Sequence, residues 1–203
     1  MYDCEIHHRR SIRLRGYDYS CAGAYFVTVC VAGMERALSR ITEDGLELTE
    51  FGQIVRGCWK ALPKHYAHVE LDEFVVMPNH VHGIIVLTEV GAGLRPAPTK
   101  SRVGAGLRPA RTGPAPTKHP LSEIIRAFKS FSARAINSAR SIPRARFWQR
   151  NYYEHIVRNQ VELEKIREYV RLNPLLWATD RYNQEGTVAV IDEDGRVVPW
   201  EQM

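Results

Sequence analysis

Two short apolar runs, Phe74 to Met77 and Ile84 to Leu87, stand on either side of Pro78-Asn79-His80-Val81-His82-Gly83. β-Branched and aromatic runs broken by Pro-Asn predict two strands that reverse into a hairpin. Pro fixes φ and Asn tolerates φ > 0, so the dipeptide suits the central positions of a type II turn. A third strand is expected over Ala24 to Val31 (AYFVTVCV). Helical spacing appears between and after these strands. Phe51, Ile54, Val55 and Cys58 predict a helix over Thr49 to Lys60 with Thr49 as N-cap. Leu121, Ile124, Ile125, Phe128, Phe131, Ala135 and Ile136 predict a basic amphipathic helix over Leu121 to Ala139. Asn159-x-x-Glu162 resembles a capping box that opens a helix running through Leu172, ended by Pro174. The aromatic stretch Phe147 to Val157 reads as a further strand, which makes the chain α+β.

The length of 203 residues suits one domain. A composition 44% hydrophobic and 25% charged is that of a soluble protein, and no stretch approaches the ~20 apolar residues that cross a bilayer. No apolar segment near Met1 precedes a small-residue cleavage site, so export is not expected. Cys4, Cys21, Cys30 and Cys58 show no Cys-x-x-Cys pairing, which fits a reduced cytoplasm. Val-Gly-Ala-Gly-Leu-Arg-Pro-Ala occurs at Val90 to Ala97 and again at Val103 to Ala110. Two proline-bearing copies with almost no large apolar residue cannot build a core, so 90–118 is expected to be a disordered insertion. The domain is then 1–89 with 119–180, and 181–203 is a tail in which a small hairpin is possible. The net charge of +5 permits a polyanionic partner. Arg126, Lys129, Arg134, Arg140, Arg144, Arg146, Arg150 and Arg158 concentrate it between Leu121 and Arg158, against Glu123 and Glu154.

Alternation along a strand sends His80 and His82 to one face, Cα atoms roughly 6.6 Å apart, so the pair can hold one metal ion or be two polar residues on a solvated face. Tyr169 and Asn173, four apart on a helix, share one face. Asn173 offers an amide oxygen, and two imidazoles with one such oxygen leave positions on Mg²⁺ or Mn²⁺ for a phosphate. Tyr169 would be the nucleophile, although a Tyr beside Ile166 and Val170 also reads as packing and an Asn before Pro as a helix stop. Trp148, Arg150 and Tyr152, with Arg126, Lys129 and Arg134, interleave aromatic and cationic groups suited to a single nucleic-acid strand. Glu154 and His155 are candidates for a shell behind the site, for a base, or for surface residues beside a basic groove.

Four blocks carry a resemblance: Arg10 to Tyr19, Leu71 to Gly83 (LDEFVVMPNHVHG), Trp148 to His155 (WQRNYYEH) and Tyr169 to Pro174 (YVRLNP). In this order they resemble the REP-associated tyrosine transposases, HUH enzymes similar to the IS200 insertion sequences, over about Arg9 to Trp177. The resemblance implies a ferredoxin-like fold, an antiparallel sheet with helices on one face. It implies His80, His82 and Asn173 as metal ligands and Tyr169 as a nucleophile that cuts single-stranded, hairpin-forming REP palindromes, leaving a 5′-phosphotyrosine and a free 3′-OH. The partner would be DNA and not a membrane, and the protein a monomer or homodimer. Two other classes stay open: a protein that binds palindromic repeats without cutting, and a phosphodiesterase that uses water.

Overall fold

The computed structural model describes residues 18–88 and 119–183. In chain order it contains β1 (Gly23–Cys30), β2 (Ser39–Thr42), β3 (Gly45–Leu48), α1 (Glu50–Lys60), α2 (Leu62–His65), β4 (Val69–Val76), β5 (His80–Leu87), α3 (Leu121–Ala139), β6 (Tyr153–Val157) and α4 (Gln160–Leu172). The main sheet has the order β4-β5-β1-β6 and every pair in it is antiparallel. β1-α1-β4 and β5-α3-β6 are interleaved crossovers, so the expected ferredoxin-like α+β topology is present. A small hairpin, β2 with β3, lies outside that sheet and was not foreseen.

Burial follows the pleat. Tyr25, Val27 and Val29 of β1 and Val81, Ile85 and Leu87 of β5 pack against Val55 and Trp59 of α1 and Ile124, Ile125 and Phe128 of α3. The alternate residues Phe26 and Ile84 meet Ile166 and Val170 of α4. The helices expected on one face are thus α1 and α3. α4 forms a second layer on the other, a correction that follows from β1 and β5 being central strands whose two faces both need cover. Among the described residues no helix is long and apolar enough to cross a membrane.

The local expectations hold in detail for the helices. α3 spans the residues its periodicity marks. Thr49 caps α1 by accepting from Gly52 N–H, and Asn159 caps α4 by accepting from Glu162 N–H at 2.9 Å. Glu162 reaches back to Arg158 N–H, one residue before the cap. Three details differ. The β4–β5 connection is the predicted two-residue one, closed by Met77 N–H on the His80 carbonyl, but Asn79 is not among the residues with positive φ, as a type II turn requires. Its side chain is buried and spent on tertiary hydrogen bonds instead. The strand expected from Phe147 begins at Tyr153, with Trp148 making an isolated bridge to Val31. The segment expected as a tail from 181 is packed through Asn183, whose amide donates to the Trp177 carbonyl. The insertion and the possible terminal hairpin lie outside the described residues.

Gly83 shows how tightly the sheet meets α1. A Cβ there would lie 2.4 Å from the Trp59 ring and 2.9 Å from Phe74, and those rings are stacked at 4.5 Å, so neither can retreat. Gly83→Ala is expected to cost about 1–3 kcal/mol through overpacking, read as a lower urea midpoint with an unchanged slope.

Candidate active site

The site is built on β5. His80 pairs with Cys30 and His82 with Thr28 in the β1–β5 ladder, so both imidazoles point to the α4 face, as alternation predicts. They are not on a solvated face: His80 is 0% and His82 1% exposed, because α4 and the segment after it lie over them. The two Nε2 atoms are 2.9 Å apart.

The outer nitrogens are held. His80 Nδ1 is 2.8 Å from Asn79 Oδ1, an acceptor, so Nδ1 carries the proton and Nε2 keeps its lone pair. Asn79 is itself oriented, since its Nδ2 donates to the Tyr182 carbonyl at 2.7 Å. His82 Nδ1 meets Thr28 Oγ1 at 2.8 Å, and a hydroxyl can donate or accept. His82 can therefore donate Nε2–H to His80, or turn its proton to Thr28 and present a second lone pair. Fixing the outer nitrogen in this way orients metal-binding imidazoles.

α4 brings the remaining groups. The Tyr169 hydroxyl is 3.2 Å from His82 Nε2, and its ring lies edge-on to Phe26. Burial pushes the Tyr169 phenol above its ordinary value, the carboxylate of Asp180 and Tyr182 add to this, and Arg181 and a hydrogen bond from Asn173 oppose it. Asn173, one turn on, is 1% exposed. Its side chain also hydrogen-bonds Asp180. Its Oδ1 is buried without a hydrogen-bond partner, a position costly for a polar atom unless something binds there.

The segment after α4 supplies residues that the sequence reading missed. One ligand atom each from His80, His82 and Asp180 lie within 4.8 Å of one another, all three buried. The Tyr182 ring lies tilted against His80 with centroids 4.5 Å apart, and Arg181 lies over the Tyr182 ring at 4.7 Å and the Tyr153 ring at 5.8 Å. Thr28 and Asn79 were missed as well. Two neutral imidazoles, a buried carboxyl and an orphaned amide oxygen form a donor set suited to one divalent cation.

The other expected residues divide. Trp148 is 4% exposed, with its Nε1 donating to Ser132 Oγ at 2.9 Å, so it is core and not a stacking platform. Tyr152 packs half-buried against the same core. Lys129 spends its ammonium on the carbonyls of Gln149, Arg150 and Asn151, the nearest at 2.7 Å, and clamps that loop. Arg126, Arg134 and Arg150 are exposed. Glu154 pairs with Val27 and so faces the α1–α3 layer, across the sheet from the histidines. His155, on the α4 face beside Phe26, is tied to Glu162 at 2.8 Å and braces the start of α4.

Burial, with Arg181 adding to it, pushes His80 from its ordinary 6.5 down to about 3, and His82 is lowered by burial, His80 and Arg181. Below about 6.5 the unfolded chain takes up protons that the native site refuses. Stability from this source is therefore complete above that pH and is lost as pH falls toward 3. The slope approaches about 1.4 kcal/mol per pH unit per histidine. The urea midpoint of metal-free protein is expected to fall between pH 7 and 5, and His80→Gln to flatten that dependence.

The family model described as Transposase IS200 like matches residues 114–173, which span α3, β6, α4 and Asn173. An uncharacterized protein of Haemophilus influenzae is 38% identical over 180 residues, covering 89% of this chain and 96% of that protein. A solved structure of a REP-associated tyrosine transposase bound to a REP hairpin is similar over 80% of this chain and 72% of its own, at 20% identity and a TM-score of 0.49. Over residues 114–173, from the approach to α3 through Asn173, the chain carries the sequence pattern of the IS200-like transposases.

Proposed function

We propose that the chain is a metal-dependent strand transferase of the HUH type that cuts and rejoins single-stranded DNA at hairpin-forming, REP-like palindromes. The observation that carries this reading is the convergence of the Tyr169 hydroxyl and both histidine Nε2 atoms, at 3.2 and 2.9 Å, in one buried site. His80 and His82 would hold the metal, with Asn173 Oδ1 and the Asp180 carboxylate as the oxygen donors. Mg²⁺ or Mn²⁺ bound there supplies a Lewis acid for the scissile phosphate and a charge that offsets the raised phenol pKa. The residues do the rest. Thr28 and Asn79 aim the imidazoles, and the Asn173 amide steadies the phenolate. Tyr169 Oη forms a bond to phosphorus as the P–O3′ bond breaks. The phenol proton passes to solvent and the departing 3′-oxygen takes one up, giving a free 3′-OH and a 5′-phosphotyrosine. Attack by a 3′-OH on that ester reverses the step and reseals a strand.

Both histidines, the tyrosine and the oxygen donors come from one chain, so a single subunit holds a complete site. Arg126, Arg134 and Arg150 are the exposed cations for the DNA backbone. The expected compartment is the cytoplasm, where the substrate lies.

Incubating the protein with a hairpin oligonucleotide and Mn²⁺ or Mg²⁺ is expected to give a covalent protein–DNA adduct that Tyr169→Phe abolishes. Cleavage without adduct that survives Tyr169→Phe would instead support water as nucleophile, and binding without cleavage a DNA-binding role. Replacing Arg126, Arg134 and Arg150 together by Gln is expected to lower the salt slope of hairpin binding by about two, at ~0.7 per phosphate contact on single strands. Lys129→Gln is expected to act mainly on stability.

A further inference from the structure

The acidic pair in Leu71-Asp72-Glu73-Phe74 has no part in the site described above, yet the sheet is distorted around it. Leu71 opposes Ile85 and Phe74 opposes Gly83, so Asp72 and Glu73 together face the single residue Ile84. This is a β-bulge, the usual device for re-aiming side chains beside a functional site. Leu71 and Phe74 both belong to the α1–α3 side. A regular strand would leave one residue between two same-face positions, whereas the bulge leaves two, and both carboxylates reach α4. Arg167 Nε donates to Asp72 Oδ1 and Oδ2 at 2.9 and 3.2 Å, and Nη2 donates to Oδ2 as well. Arg171 Nε lies 3.6 Å from Glu73. The Arg167 hydrogen bonds hold the Asp72 carboxyl below its usual range.

The placement on the helix gives the pairs a purpose. α4 sits on the sheet through Ile166 and Val170, an apolar contact with no strong preference for one roll angle. At 3.6 residues per turn, Arg167 and Arg171 lie on one flank of that stripe and Tyr169 on the other. With side chains about 5–6 Å from the axis, a roll of ~10° moves a tip by about 1 Å. An error of that size can cost 10²-fold in rate.

We propose that Asp72 and Arg167, seconded by Glu73 and Arg171, are positioning residues that fix the roll of α4 and so hold the Tyr169 hydroxyl toward His82. The proposal rests on Tyr169 being the nucleophile. Its test compares the full-length protein with Asp72→Asn, Arg167→Gln and the reversed pair Asp72→Arg with Arg167→Asp. Each is assayed for hairpin affinity, melting temperature and single-turnover adduct formation with Mn²⁺. The single changes are expected to slow adduct formation about 10- to 100-fold with hairpin Kd within about twofold, and the reversed pair to recover part of the rate. Glu73→Gln, at the more exposed pair, is expected to slow it a few-fold without unfolding the protein. In metal-free protein the nuclear Overhauser contact between the Tyr169 and Phe26 rings should weaken in Asp72→Asn. Unchanged rates and ring contact, or rates that fall only with the folded fraction, would overturn the clamp. No adduct in the wild-type protein, alongside a ring contact that responds to Asp72→Asn, would overturn the nucleophile and leave the clamp standing.

Discussion

Two imidazoles buried side by side on a central strand set the terms for the rest of this structure. Neither can be charged cheaply there, and each has an outer nitrogen that must be hydrogen-bonded. That need fixes Thr28 one strand away and Asn79 in the turn. Asn79 in turn depends on the Tyr182 carbonyl, which ties the segment after α4 to the site. The same arrangement leaves both Nε2 atoms facing inward. A site so organised would offer a cation lone pairs on neutral imidazoles at neutral pH, once His82 turns its proton to Thr28.

The second constraint is that Tyr169, the proposed nucleophile, stands on a different element from the histidines. α4 is joined to the sheet by a small apolar contact, Ile166 and Val170 on Phe26 and Ile84. Polar contacts on both sides supplement it: Asp72 with Arg167 on one flank, His155 with Glu162 near its start. Thr88 N–H donates to the His68 carbonyl, and His68 Nε2 contacts the His119 carbonyl, so the end of β5 and the approach to α3 meet at one residue.

Period-based reading worked where burial is one-sided. α3 carries its apolar residues on one stripe, and its limits were legible to the residue. Strand alternation placed both histidines on one face, and helical spacing placed Tyr169 and Asn173 together. The reading failed where a side chain's role is set by tertiary contact. Trp148 and Lys129 look like nucleic-acid contacts in a basic, aromatic string, but one fills the core under α3 and the other gathers loop carbonyls. Glu154 is adjacent to the right residues in sequence and on the wrong face in the sheet. Asp180 lies in an aperiodic segment beyond Pro174, where no spacing could point to it. The bulge at Asp72-Glu73 was hidden for the same reason, since Leu71 to Val76 reads as strand whether or not one residue is extra.

The central claim is that β5, α4 and the segment after it make one metal-and-nucleophile site. Anomalous scattering from crystals of the protein grown with Mn²⁺ tests it most directly. The account predicts one ordered peak between His80 Nε2 and His82 Nε2, at roughly 2.1 Å from each, with an oxygen of Asp180 or Asn173 completing the set and the Tyr169 hydroxyl facing it. Mn²⁺ bound elsewhere, or no peak within bonding distance of His80 and His82 at saturating metal, would contradict it.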